Sequence, residues 1–262
     1  MTKKYELLLD KSIISFGVTL FRIRALVAFG NVSAGEVGGY IESEKNLSQV
    51  SGNAWVSGNA RVSGNAWVSG NAWVYGNARV YGKARMSGNA WVSGNAQVYG
   101  DAQVSGDAQV SGDARVSGKA RMSGNAWVSG DAQVYGDAQV SGDAQVSGDA
   151  RVYGKARMSG DAQVYGDAQV YGDAQVYGDA QVSGDARVSG NAWVIKSPIC
   201  ISGGRWHITV TKENIAIGCQ VHTYEEWTDF TDKEISAMHT DALSWWKEWR
   251  GFVLSVALMY RK

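Results

Sequence analysis

Residues 84–104 read ARMSGNAWVSGNAQVYGDAQV, and a single unit, Ala-x-Val-[Ser/Tyr]-Gly-[Asn/Asp/Lys], recurs in them every six residues. Outward from this stretch the unit continues from about residue 48 to residue 195. Its anchor is a valine at every sixth position from 50 to 194, replaced only by Met86, Met122 and Met158, and the 25 anchors run without one insertion. Such spacing marks a solenoid, where each unit buries its apolar face only by stacking on its neighbours.

The residue chemistry says what one unit looks like. Alanine and valine lie two apart and share one face of a short strand, while x and Ser/Tyr point the other way. Valine favours strands, and alanine fits beside it in a narrow interior. Glycine followed by Asn, Asp or Lys then turns the chain, since glycine and Asn/Asp tolerate the left-handed dihedrals of a sharp corner. The result is a coil, not a hairpin sheet.

This unit resembles the hexapeptide repeat of left-handed β-helices, in which three hexapeptides make one triangular coil of 18 residues. The resemblance implies an all-β solenoid, a left-handed parallel β-helix of about eight coils, roughly 40 Å tall at strand spacing. The Ser or Tyr after each valine departs from that family and adds aromatic surface outside. The coil length has an internal check: one corner reads Asn65, Lys83, Asp101, Lys119, Asp137, Lys155, Asp173, Asn191. Its alternating charges are expected about 4.8 Å apart. Part of that order comes from a 36-residue super-repeat marked by three GKARM segments.

Sorting by the same period separates three outward columns. One carries Trp55, Trp73, Trp91 and Trp127 with Gln109, Gln145, Gln163 and Gln181. Exposed tryptophans are costly unless covered, so this column is the expected interface of a homotrimer, the assembly the β-helix resemblance implies. The second carries Arg61, Arg79, Arg115, Arg151 and Arg187 with Tyr81, Tyr99, Tyr135, Tyr153 and Tyr171. Guanidinium groups beside aromatic faces suit a small anionic ligand with a flat ring, such as a nucleotide. Arg–Tyr stacking on a solvated sheet is the plainer alternative. The third column mixes Trp67, Arg85, Arg121, Arg157 and Trp193 with glutamines. A corner of five aspartates, Asp113, Asp131, Asp149, Asp167 and Asp185, offers carboxylates to cations or to solvent.

The ends differ from the repeats, dividing the chain into 1–47, an N-terminal cap, 48–196, the β-helix, and 197–262, a C-terminal cap. Residues 204–219, GRWHITVTKENIAIGC, read as a β-hairpin turning at Glu213-Asn214. Thr223 with Glu226 and Thr231 with Glu234 form capping boxes that start two helices. A last helix over about 240–259 aligns Ala242, Trp245, Trp246, Trp249, Phe252, Val253, Val256 and Tyr260. The stretches LFRIRAL…FGNVSAGEVGGYIESEKNLS, IGCxxHTxxEW and ALxWW resemble a group of phage and prophage proteins, which implies an origin and little about function. Cys219 and His222 are weak metal candidates, with Cys200 and His207 as further donors.

Composition narrows the classes. Lysine plus arginine (25) equals aspartate plus glutamate (25), so no global field draws the chain to duplex nucleic acid or membrane. Thirty-three glycines with one proline, Pro198, exclude collagen. Glu6, Asp10 and Lys11 interrupt any signal-peptide core, and two cysteines make no disulfide framework, so a bacterial host cytoplasm is expected. β-Helix acyltransferases and γ-type carbonic anhydrases use histidines on their coils, but the first histidine here is His207. Ice-binding helices favour threonine arrays, and residues 20–208 have none. These exclusions leave a non-enzymatic protein without cofactor, and with the two resemblances, which imply the trimer and the phage origin, the expectation is a phage-encoded homotrimeric sponge for an anionic ring-bearing ligand such as a nucleotide immune signal. The alternative is a rigid structural or virion-associated scaffold.

Overall fold

A computed structural model describes residues 3–50, 52–202 and 204–261. From Trp55–Val56 to Trp193–Val194, every repeat contributes a two-residue strand, here called a rung. The rungs fall on three parallel faces of eight each, and neighbours in a face are 18 residues apart, as Trp55 over Trp73, Arg61 over Arg79 and Trp67 over Arg85. The protein is a parallel β-solenoid, with the three columns segregated onto the faces as the 18-residue sorting expects.

Most units send three backbone bonds along the stack. Asn89 N–H donates to Gly106 (2.8 Å), Trp91 to Ala108 (2.9 Å) and Ser93 to Val110 (2.9 Å). Inside, the alanines and valines of the rungs are fully buried. Met86, Met122 and Met158 alternate with Val104, Val140 and Val176 on one face, so long and short side chains interleave along the axis. The corners are glycines in the left-handed region: Gly124 has φ +66°, and a Cβ there would lie 2.9 Å from the backbone N and O of Gly142 in the next coil. The charged corner has the expected register, but among the described residues no salt bridge joins its lysines to its aspartates. Open solvent at a corner leaves such side chains little reason to fix a geometry. Amides do bond at a neighbouring corner, as Asn71 Nδ2 to Asn89 Oδ1 (2.9 Å) and Asn89 Nδ2 to Asp107 Oδ1 (2.7 Å).

Because amides donate toward the C-terminal end, the first rungs present unpaired carbonyls and the last rungs unpaired amides, and each cap supplies the opposite chemistry. At the start, the buried Lys4 Nζ donates to the carbonyls of Ala54 (3.0 Å) and Gly52 (3.4 Å). Asn46 Nδ2 donates to Gly64 (3.0 Å) and Ala66 (2.9 Å). At the far end, Thr209 Oγ1 accepts from Arg187 N–H and Ser197 Oγ from Gln181 N–H, each at 3.0 Å. The N-terminal cap is an antiparallel sheet of β1 (Tyr5–Ser15), β2 (Val18–Ala25) and β3 (Val37–Ile41), joined to the arginine face where β3 pairs in parallel with Arg61–Val62.

The C-terminal part is a four-stranded antiparallel sheet, Ile199–Ile201, Ile208–Val210, Asn214–Ile217 and Gln220–Thr223, under α1 (Tyr224–Asp229), α2 (Asp232–Met238) and α3 (Ala242–Arg261). Val210 pairs with Ile215, so the turn centres on Lys212-Glu213, one residue before the expected place, where Thr211 Oγ1 accepts the Asn214 amide (3.0 Å). Both capping boxes form at Thr223 and Thr231. The α3 stripe packs into a second core except Phe252, which is half exposed. Among the described residues no helix is long and apolar enough to cross a membrane.

Two expectations follow. Gly190 has φ +65° with open space where a side chain would stand, so Gly190→Ala carries only the conformational strain, about 1–2 kcal/mol. Gly124→Ala adds a backbone collision and lowers the melting temperature further; equal losses would show that coil contact is unimportant. Burial pulls the Lys4 ammonium from 10.5 down to about 8. Between those pH values the unfolded chain holds more protons, so stability rises with pH across this window. Denaturation midpoints at pH 7.5 and 9.5 should show the rise in the native chain and lose it in Lys4→Met.

Candidate ligand-binding face

On the arginine face the tyrosines form a ladder. Tyr81 and Tyr99 stack at 5.0 Å with 2° between planes, Tyr135 and Tyr153 at 4.9 Å and 1°, and Tyr153 and Tyr171 at 5.0 Å and 6°. One tyrosine per coil lands on the next because rungs repeat at ring-stacking distance. The hydroxyls reach one rung on, Tyr81 Oη to Gln97 Oε1 (3.3 Å) and Tyr153 Oη to Gln169 Oε1 (3.5 Å). Burial in the stack raises the phenols of Tyr81, Tyr135 and Tyr153 above their ordinary value, with Arg79, Arg115, Arg151 and Arg187 opposing that shift at one or more of them.

This corrects the expected arrangement. Within the repeat column the tyrosines cover one another, and the guanidinium that lies over a tyrosine in this sheet is Arg22 of the cap, over Tyr40 (4.5 Å). Arg79 lies over Phe16 instead, 5.2 Å from the ring centre. Arg187 Nη1 donates to Gly218 O (3.2 Å), tying this end of the column to the C-terminal sheet. The side chains of Arg115 and Arg151 are exposed and make no hydrogen bond or ion pair among the described residues.

The feature the sequence could not show is a cleft at the top of the ladder. The β1–β2 hairpin overhangs the face, and Arg61 Nη1 fastens it by donating to Ser15 Oγ (3.2 Å). Ser15, Phe16 and Leu20 of the hairpin, with Glu42, Arg61, Ser63, Arg79 and Tyr81, enclose about 450 Å³. Tyr81 stacks on Tyr99 with one face; its other side borders this cleft above Ser63. At the hairpin tip stands Phe16, a non-glycine residue at φ +51° and 86% exposed.

The tryptophan column is shorter than expected. Trp55 is fully buried beneath the cap, edge-on to Phe29 (5.4 Å) and Tyr5 (6.4 Å), so it belongs to the core and not to an interface. Trp73 stacks on Trp91 (6.4 Å) and donates from Nε1 to Asn53 O (3.1 Å). Trp91 and Trp127 remain 45% and 44% exposed. Among the described residues no three His, Cys, Asp or Glu side chains converge, at the aspartate corner or around Cys219 and His222. His222 instead packs edge-on against Trp227 (5.3 Å) and Phe230 (4.8 Å).

The fold class is therefore a parallel β-solenoid presenting an arginine–tyrosine face and a tryptophan face. Within the repeats the chain is similar to two family models. The YdcK β-solenoid repeat matches residues 54–70, 60–76 and 72–88, and bactofilin, described as polymer-forming cytoskeletal, matches residues 91–194. No curated protein matches the chain.

The ladder has a measurable value. Tyr153→Ser removes a ring stacked on both sides and should cost about 1–3 kcal/mol, against about half that for Tyr81→Ser, which loses one partner. Thermal denaturation of the two variants tests this; equal effects would mean the stacking is cosmetic.

Proposed function

We propose that the protein is a non-catalytic binding protein that captures a small anionic molecule carrying a flat ring. The observation that carries this reading is the cleft beneath the β1–β2 hairpin. Its two guanidiniums, Arg61 and Arg79, outnumber its one carboxylate, Glu42, which accepts the Gly64 amide, and so supply charge for an anion; the side of Tyr81 away from Tyr99 supplies a stacking platform. Arg115 and Arg151 continue the positive face beyond the cleft. Catalysis on the coils has little to work with, since no histidine or cysteine occurs before residue 200. Side-by-side packing of Trp91 and Trp127 would give the homotrimer, and the phage-like termini suggest a sponge acting in the bacterial host cytoplasm on a nucleotide-like signal.

A second reading is favoured by the bactofilin similarity over residues 91–194: a polymer-forming scaffold. Against end-to-end growth stand the caps, which occupy carbonyls of the first rungs and amides of the last. Lateral growth through the tryptophan face stays compatible with this fold.

Native mass spectrometry of protein purified from a nucleotide-rich lysate separates the two. The binding reading expects a trimer with a stoichiometric small anion that is lost in Arg61→Ala/Arg79→Ala. Filaments without bound mass would replace it with the scaffold.

A further inference from the structure

The tyrosine ladder is interrupted once. At the rung between Tyr99 and Tyr135 its position is held by Ser117. We propose that this gap is a second binding site, an intercalation slot for one planar aromatic ring bearing an anionic group. The proposal extends the ligand-binding reading of this face but fails or stands separately from the cleft.

The geometry comes from the ladder itself. Tyr99 lies parallel to Tyr81 within 2°, and Tyr135 parallel to Tyr153 within 1°. Consecutive rings are spaced 4.9–5.0 Å. Tyr99 and Tyr135, two rungs apart, are therefore separated by about 10 Å, the space of one missing ring. Ser117 forms a small polar floor. Tyrosines of the ladder place their outer edge over the glutamine one rung on, so a ring in the slot meets Gln133 in the same way. Arg115 on the same rung is exposed and makes no hydrogen bond or ion pair among the described residues, so the anionic group has a guanidinium to meet at the slot's mouth; Lys119 at the adjoining corner stands between Asp101 and Asp137. Stacking between two fixed walls needs no rearrangement of the solenoid, and a base–aromatic stack is sequence-tolerant because every base has a π-face.

The test uses the full-length protein and adenosine 5′-monophosphate, with ribose 5-phosphate as the ringless control, in calorimetric titrations. Ser117→Tyr fills the slot with the ladder's own ring, Ser63→Tyr fills the cleft, and Tyr135→Ser removes one wall of the slot. The slot predicts that Ser117→Tyr abolishes one adenosine monophosphate site that Ser63→Tyr retains. It predicts that Tyr135→Ser weakens that site on the order of tenfold or more, and that ribose 5-phosphate does not occupy it. Thermal unfolding should find Ser117→Tyr at least as stable as the native chain, since it completes the stack; if it fails to fold, Tyr135→Ser decides alone. No binding at all, binding untouched by Ser117→Tyr and Tyr135→Ser, or equal binding of the ringless control overturns the slot. Loss only in Ser63→Tyr leaves the cleft and removes the slot.

Discussion

The whole surface of this molecule depends on one close approach, glycine corner on glycine corner. At Gly88 a Cβ would sit 2.8 Å from the backbone of Gly106, and the same contact recurs up the stack at left-handed φ. Only glycine permits both the dihedral and the approach. Once corners stack this tightly, the rungs between them fall into register, and two or three backbone bonds per unit hold the spacing through most of the stack. The hydrophobic interior of alanine and valine then needs no variety, because every coil offers the next the same shape.

That uniformity has a consequence outside. Any side chain repeated at the coil period becomes a column at ring-stacking distance, whether or not a ligand exists. Tyrosines therefore stack on tyrosines and tryptophans on tryptophans, and asparagines bond to asparagines. Departures from the period are more informative than the period itself. Ser117 interrupts the tyrosine column, Ser63 precedes its first ring, and the β1–β2 hairpin breaks the flatness of its face. Both departures adjoin uncovered aromatic and cationic groups.

The ends bear on the choice between capture and polymerisation. A parallel stack is polar, with carbonyls facing one way and amides the other. Lys4 and Asn46 answer the first, Ser197 and Thr209 the second. These are side-chain groups, and they occupy backbone positions that a further rung would otherwise meet. A protein similar to bactofilin in its repeats thus differs from an open-ended stack in its terminal chemistry.

Strand, corner, coil length and face composition were legible in the amino-acid sequence, because each follows from nearest-neighbour chemistry repeated without insertion. Both capping boxes and most of the α3 stripe were legible for the same local reason. Tertiary structure alone decided which members of a column remain available. Trp55 and Arg187 carry the same sequence signature as Trp127 and Arg115, yet the first lies under the N-terminal cap and the second is bonded to Gly218. It also decided that the tyrosines of the repeat column would stack on one another, since rings one coil apart reach each other. The hairpin that closes the cleft lies far from Arg61 in sequence, and its overhang depends on a long-range contact, Arg61 to Ser15, that no local pattern encodes.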